Sequence, residues 1–189
     1  LAGDDLASGG NYNAFFGESA GHAVTTGDYN VAIGFNALDS SLLADRVTMI
    51  GTAAGRGVLT AAAIGSIGIG YAALNQNTEG EGNVAVGYEA LSANINSDFS
   101  TAVGHQALKT QTGTAGTVGN TALGYKAGAG VLTGKNNTFI GTEVGSVASA
   151  SSANYNTGLG FSSLKVLTSG SRNTSLGAFS AQQVVNAGD

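Results

Sequence analysis

Short stretches in which apolar residues alternate with small or polar ones recur about every 17 residues along the chain. Each stretch ends in a glycine, which we call the anchor glycine and number as position 0 of its repeat. The anchor glycines are Gly17, Gly34, Gly51, Gly70, Gly87, Gly104, Gly124, Gly141, Gly160 and Gly177. They lie 17 to 20 residues apart, and a fixed period in this range is typical of architectures in which each repeat packs on the next. We therefore expect a solenoid of about ten coils.

The three residues before each anchor glycine predict a β-strand. Position −1 is always apolar, position −2 is mostly small, and position −3 is β-branched in every repeat except the first, which has Ala14. Period-two alternation with β-branched residues favours a strand, whereas glycine at this density disfavours a helix. The anchor glycine permits a corner after the strand, because glycine readily adopts positive φ. The sequence thus predicts an all-β fold of parallel coils, each 17–20 residues long.

Stacking places equivalent residues of successive coils above one another, about 4.8 Å apart. Asparagine stands at position −4 in seven repeats and predicts a ladder of amide hydrogen bonds. These residues are Asn13, Asn30, Asn83, Asn120, Asn137, Asn156 and Asn173. The apolar residues at −1 predict a seam that stacking buries, with the side chains at −3 on the same face. One slim coil has too little large side-chain volume to cover both faces of its strand, so we expect several copies of the chain to associate.

The repeats divide the chain into three parts. Residues 1–9 form a lead-in, residues 10–181 form the ten-coil repeat domain, and residues 182–189 form a C-terminal tail. The longer repeats predict loops that bulge outward at 56–64, 109–117 and 146–153. Ten coils predict a rod roughly 45 Å long.

Several repeats resemble motifs of trimeric fibrous proteins. Residues 100–104, Ser-Thr-Ala-Val-Gly, resemble the repeat in the heads of YadA-type trimeric autotransporter adhesins. Residues 83–91, Asn-Val-Ala-Val-Gly-Tyr-Glu-Ala-Leu, resemble the repeat of phage tail fibres and similar bacterial surface fibres. The likeness covers roughly residues 10–181. The position of the asparagine, one place later than in the adhesin motif, favours the tail-fibre variant.

This resemblance implies a left-handed parallel β-roll and a homotrimer with three chains side by side. It also implies work as an attachment fibre or its shaft, outside the cell, on a virion tail or on a bacterial surface. The partners would then be two further copies of the chain and a cell-surface glycan or receptor.

Composition excludes several classes of function. The chain has no Cys, so it has neither disulfides nor thiolate metal sites. Seven basic residues against twelve acidic ones give a net charge of −5, which argues against nucleic-acid binding. No apolar run approaches the roughly 18 residues of a membrane-spanning helix, so we expect no direct membrane insertion.

The acidic and serine residues do not form a catalytic pattern. Glu18, Glu89 and Glu143 follow anchor glycines of coils that are not neighbours, whereas a polysaccharide-cleaving solenoid needs carboxylates close together. Residues 17–21 match the Gly-x-Ser-x-Gly motif and residues 68–73 match a dinucleotide-binding fingerprint, but the repeat itself accounts for these glycines. We therefore predict no enzymatic activity, no catalytic residue, no cofactor and no metal.

An aromatic column at position +1 is the strongest candidate for binding. It contains Phe35, Tyr71, Tyr88, Tyr125 and Phe161, with His105 in the same column. We expect these rings to pack between subunits; the alternative is a sugar-binding surface, because rings offer rigid amphipathic area.

The predicted function is that of a non-enzymatic segment of a trimeric attachment fibre, which acts as a rigid spacer. Contact with host-surface glycans is a second role that we consider for it. The alternative is a monomeric solenoid that modifies polysaccharides or binds ice. The sequence disfavours ice binding, because the threonines at position −3 are expected to share a face with the buried seam.

Overall fold

The computed structural model describes residues 10–57, 59–60, 63–113, 115–146 and 152–184. These ranges contain strands, turns and bends but no helix. The predicted lead-in at 1–9, residues 185–189 of the predicted tail and parts of the three predicted bulges lie outside the described residues.

The three residues before each anchor glycine form a strand, and the ten strands form one sheet. They are Ala14–Phe16 (β1), Val31–Ile33 (β2), Thr48–Ile50 (β3), Ile67–Ile69 (β4), Val84–Val86 (β5), Thr101–Val103 (β7), Thr121–Leu123 (β9), Thr138–Ile140 (β10), Thr157–Leu159 (β11) and Thr174–Leu176 (β13). Two-residue strands form two smaller pairs, Ser97–Asp98 (β6) with Gly116–Thr117 (β8), and Val166–Leu167 (β12) with Gln183–Val184 (β14).

Neighbouring strands of the large sheet are parallel and pair position by position. Val84 of β5 pairs with Thr101 of β7, and Val86 pairs with Val103. The strands follow one another in the sheet in the order in which they occur along the chain. The chain therefore advances by one coil per repeat, and the all-β parallel solenoid of about ten coils is confirmed.

The side chains at −2, not those at −1, line the inside of the solenoid. The expectation that the −1 residues form a buried seam is wrong, since Ile33, Leu123 and Leu176 are 39%, 48% and 72% exposed. The residue at −2 is buried in every coil after the first, as Ala85 and Ala102 are. The inside of a 17-residue coil is narrow, so the strand turns its small side chain inward and its larger ones outward.

The core is filled jointly from positions −2 and +4, which compensate each other in size. Where −2 is small, +4 is mostly a fully buried leucine: Leu38, Leu74, Leu91, Leu108 and Leu164. Where −2 is large, +4 is glycine: Phe15 with Gly21, Met49 with Gly55, and Phe139 with Gly145. A Cβ on Gly55 would lie 2.6 Å from the Met49 sulfur, and one on Gly145 would lie 2.8 Å from the Phe139 ring. Residues that touch across the coil thus share one fixed volume.

Each coil turns through four positions of positive φ, at −5, 0, +2 and +4. At −5, +2 and +4 the φ values lie between 42° and 70°, and many of the residues there are not glycine. At the anchor glycines φ is 112° to 138°. A Cβ on Gly34 would lie 2.7 Å from the carbonyl carbon of Gly51, so an anchor position that is followed by another coil accepts only glycine.

Candidate functional site

The outward side of the ten-stranded sheet is an apolar surface that runs along the whole stack. We call it the sheet face and define it by the side chains at −3 and −1 of the ten coils. Ile33, Ile69 and Leu159 are 36–40% exposed there, beside β-branched residues at −3. At about 4.8 Å per coil, the face is roughly 45 Å long. An uninterrupted apolar surface of this extent marks an interaction site rather than an ordinary solvated surface.

Two columns of residues flank the sheet face, and many of these residues have large side chains. We call position +1 the plus flank, with Glu18, Phe35, Thr52, Tyr71, Tyr88, His105, Tyr125, Thr142, Phe161 and Ala178. We call position −5 the minus flank, with Tyr12, Tyr29, Arg46, Gly65, Gly82, Phe99, Gly119, Asn136, Tyr155 and Arg172. The plus flank was predictable from the sequence as an aromatic column, whereas the minus flank was not, because it mixes large residues with glycine. Its members share a backbone conformation of positive φ.

Rings of successive coils stack along each flank. On the plus flank, the ring centroids of Tyr71 and Tyr88 are 5.0 Å apart, as are those of Tyr88 and His105. On the minus flank, the rings of Tyr12 and Tyr29 are 4.9 Å apart and nearly parallel. Stacked rings cover each other's faces and leave their edges outward. A sugar that packs on an aromatic face would therefore need a ring at the end of a stack, such as Tyr71, which has Thr52 in the preceding coil.

A groove of about 630 Å³, with a lining of mixed polar and apolar residues, begins beside Tyr71 and extends across several coils. Its lining includes Arg56, Asn75, Gln76, Glu89 and Lys109. This set combines one aromatic ring with amide and charged hydrogen-bonding groups, which is the chemistry that holds a short saccharide.

Two hydrogen bonds hold the Glu89 carboxylate in the lining of this groove. The Lys109 ammonium donates a hydrogen bond to Glu89 Oε2 at 2.6 Å, and Gln106 Nε2 donates to the same oxygen at 2.8 Å. These hydrogen bonds, Lys109 first, hold the pKa of Glu89 below its ordinary value of 4.5. Glu89 is the one carboxylate among the described residues that line the groove. An ionised, salt-bridged carboxylate without a second acid beside it is poorly suited to general acid catalysis.

The asparagines at −4 join successive coils from the inside. Asn137 shows the pattern: its Nδ2 donates to Ala153 O at 2.8 Å, and its Oδ1 accepts from Asn156 N at 2.9 Å. Asn13, Asn30, Asn83, Asn120 and Asn156 make equivalent bonds, and Asn173 Nδ2 donates to Asn156 Oδ1. Each amide before Asn173 thus satisfies both a carbonyl and an N–H of the following coil, which makes this column structural.

In the two coils that have serine at −4, the serine and other polar side chains make the hydrogen bonds that asparagine makes elsewhere. Ser66 Oγ donates to Gly80 O at 3.1 Å and accepts from Asn83 N. Gln111 Nε2 donates to Ser100 Oγ, and Gln111 Oε1 accepts from Asn120 Nδ2 at 2.8 Å. Gln111 therefore bridges the column across a coil that lacks the asparagine, a role that its position in a predicted loop did not indicate.

Glu143 stands at +2, the same position in the repeat as Glu89, and it also pairs with a lysine. The Lys165 ammonium donates to Glu143 Oε2 at 2.8 Å, and this bond lowers the pKa of Glu143. Among the described residues, no three His, Asp or Glu side chains come together in a way that could hold a metal ion. The search of the same residues found no helix that could cross a membrane.

Comparison of the chain with protein-family models, with curated proteins and with solved structures finds no match. Its function is therefore inferred from its own residues and their geometry.

Proposed function

We propose that this chain is a rigid, non-enzymatic segment of a trimeric attachment fibre, in which three left-handed coil stacks lie side by side. The observation that carries the proposal is the outward orientation of the apolar sheet face. Water would solvate ten rows of Ile, Leu, Val and Thr methyl groups on a lone chain, and association removes them from water.

The architecture supports a spacer role. Backbone hydrogen bonds connect every coil to the next through the large sheet, and the asparagine column repeats this connection inside. A stack that is bonded at every coil transmits force along its axis without a hinge. Together with the likeness to tail-fibre and adhesin repeats, this supports a place outside the cell, on a virion or a bacterial surface.

Contact with host glycans is the second part of the proposal, and we assign it to the groove beside Tyr71. Asn75 and Gln76 in its lining stand at +5 and +6, outside the sheet face and outside both flanks. Their amide groups supply hydrogen-bond donors and acceptors for sugar hydroxyls.

The assembly is tested by its native mass. Mass photometry and sedimentation are expected to give three times the chain mass of 18.5 kDa. Ile69→Lys combined with Val86→Lys places two charges on the sheet face and is expected to yield folded monomers. Leu42→Lys is the control, because Leu42 is 49% exposed but lies outside the sheet face. A wild-type chain that stays monomeric at micromolar concentration would contradict the fibre proposal.

The glycan contact is tested separately on a glycan array. Binding that Asn75→Ala and Gln76→Ala abolish, with the trimer mass retained, would support the groove assignment. No binding by the wild-type trimer would leave only the spacer role.

Ice binding is the second candidate function, and one observation favours it. Threonines occupy −3 in the last five coils and point outward, contrary to the expectation from the sequence; they are Thr101, Thr121, Thr138, Thr157 and Thr174. A flat sheet with hydroxyl and methyl groups at a regular spacing can order water. Ice binding and trimerisation would use the same face, so the native mass distinguishes them. A monomer that inhibits ice recrystallisation, and loses this activity with Thr138→Lys, would favour ice binding.

A further inference from the structure

In five of the ten coils, a large residue on one flank of the sheet face accompanies glycine or another small residue on the other flank, whereas three coils carry rings on both flanks. The three tyrosines of the plus flank occur in the three coils that have glycine on the minus flank, and the two arginines of the minus flank occur in coils with a small residue on the plus flank. These combinations are Gly65 with Tyr71, Gly82 with Tyr88, Gly119 with Tyr125, Arg46 with Thr52, and Arg172 with Ala178.

The backbone does not explain where these glycines fall. Position −5 has positive φ in all ten coils, between 55° and 70°. Tyr29 and Arg46 adopt this conformation with φ of 59° and 55°, although it is unfavourable for residues with a Cβ. Since every coil makes the same demand on φ, the choice between glycine and a large side chain is set by something else.

The interior of the same chain shows what such compensation means. Positions −2 and +4 also lie six residues apart and also combine large with small. There the large side chain fills the space beside the small residue, since a Cβ added to Gly55 would lie 2.6 Å from the Met49 sulfur. Shared volume between two positions is the mark of a packing contact.

The two flanks are not in contact within one chain, because the strand and both of its corners lie between them. The ring contacts in the described residues run along each flank, between successive coils, as in the pairs Tyr12–Tyr29 and Tyr71–Tyr88. At Gly82 the Phe99 ring of the same chain stands beside the glycine, 2.7 Å from an added Cβ. At Gly65, by contrast, an added Cβ would have no neighbouring atom within 4 Å. The volume that matches Gly65 must therefore come from another molecule.

We propose that the plus flank of one copy packs on the minus flank of the next copy, coil against the same coil, so that Tyr71 covers Gly65 of the partner subunit. This inference rests on the proposed trimer and specifies its register. Rotation about an axis parallel to the stack keeps every coil at its own height and brings opposite flanks together. A two-fold axis perpendicular to the stack would reverse the coil order and lose the size match.

Coils with rings on both flanks fit the same arrangement. Phe99 and His105 share a coil, and a Cβ added to Gly82 would lie 2.7 Å from the Phe99 ring, so this ring leans toward the neighbouring coil. The contact in such coils is ring against ring, which aromatic side chains favour.

Cross-linking in solution tests the register, because the chain has no cysteine of its own. The variant Gly65→Cys/Tyr71→Cys is treated with a short bismaleimide and separated on a denaturing gel. We expect a covalent trimer. The matched control is Gly65→Cys/Tyr125→Cys, which carries the same number of thiols but places them three coils, about 14 Å, apart along the axis. We expect no covalent trimer from the control.

A size exchange gives a second measurement that does not depend on thiols. The trimer of the Gly65→Tyr variant should be weaker, so that it dissociates at a protein concentration at least tenfold higher than the wild-type trimer does. Adding Tyr71→Gly to this variant should restore the assembly. Adding Tyr125→Gly instead should not restore it. Equal cross-linking of both cysteine variants, or a trimer whose stability does not change in the size exchange, would overturn the proposed register but not the proposed fibre. A monomeric wild-type chain would overturn both.

Discussion

At the scale of single residues, this fold accepts backbone strain wherever a side chain is needed in the core. Leu38, Leu74 and Leu91 have φ between 48° and 54°, a conformation that costs about 1–2 kcal/mol for a residue with a Cβ. Each of them is fully buried, and burial of a leucine side chain contributes about 1.5–3 kcal/mol. Burial therefore outweighs the strain, but only in coils where the residue at −2 is small enough to leave room for leucine.

The anchor glycines allow no such compensation. Replacing Gly87 by Val is expected to destabilise the protein by several kcal/mol, since a Cβ there collides with the backbone carbonyl of Gly104 and φ is 138°. Gly177→Val is the matched control, because Gly177 also has a strained φ of 112° but its Cβ would meet no atom within 4 Å. Thermal unfolding should show a far larger loss for Gly87→Val. Equal losses would mean that φ alone, and not the stacking of anchor glycines, sets the requirement.

At the scale of the coil, the sequence was sufficient to predict the ten strands of the large sheet and their register, but not the two pairs of two-residue strands. The anchor glycines fix which residues stack, and period-two alternation fixes which residues share a face. The alternation could not show which face is inside, because both faces are apolar or small. The width of the coil decides this, and it depends on Leu74 and its equivalents at +4, which the sequence pattern left without an assigned face.

The candidate site was predictable to a similar degree. The aromatic column at +1 was visible because its members share one chemistry. The column at −5 mixes Tyr29, Arg46 and Gly65, so no chemical similarity identifies it. Its members are related by a common backbone conformation and by their size relative to +1, and the first of these is known only from the structure.

Ion pairs between successive coils predict a small dependence of stability on pH. The pKa of Glu89 is lowered in the folded protein, chiefly by Lys109, so the folded state favours the ionised carboxylate. Its contribution is therefore present above pH 4.5 and is lost as the pH falls through the lowered folded pKa. Because the pair is partly exposed, we expect Glu89→Gln to cost about 0.5 kcal/mol or less at pH 7 and nothing near pH 2.

Thermal unfolding of wild type and Glu89→Gln at both pH values measures this difference. Lys109→Met is the partner control: in the double variant, Glu89→Gln should add no further loss at pH 7. A cost of Glu89→Gln that is equal at pH 7 and pH 2 would show that the side chain acts through packing and not through its charge.

At the scale of the whole molecule, each coil contacts only the coils before and after it. Stability in such a stack is approximately a sum over coils and the interfaces between them. The stack should therefore tolerate the loss of a complete coil, provided that the columns on both sides of the deletion continue unbroken. In a fold whose core depends on contacts between elements distant in sequence, a deletion of this size would unfold the protein.

Deletion of residues 71–87 is the sharpest test of this property. It removes 17 residues and joins Gly70 to Tyr88, so Gly68 at −2 meets Leu91 at +4 and the core keeps its combination of small and large. At −4, Asn83 is removed and Ser66 becomes the neighbour of Ser100. The minus flank then offers Gly65 beside Tyr88, which also preserves the proposed contact between copies. We expect a folded protein with the same β-sheet signal per residue in circular dichroism and a melting temperature within a few degrees of wild type.

Deletion of residues 71–79 is the control, although it removes fewer residues. It leaves Gly70 and Gly87 only 8 positions apart, since 17 minus 9 is 8, and this is too few to complete a coil. The strand Val84–Val86 can then no longer lie between its two neighbours, and the apolar residues beside it lose their cover. The smaller deletion should thus be the more damaging one. If both deletions lowered the melting temperature equally, the stability of this molecule would not be the additive property of its coils that the parallel register implies.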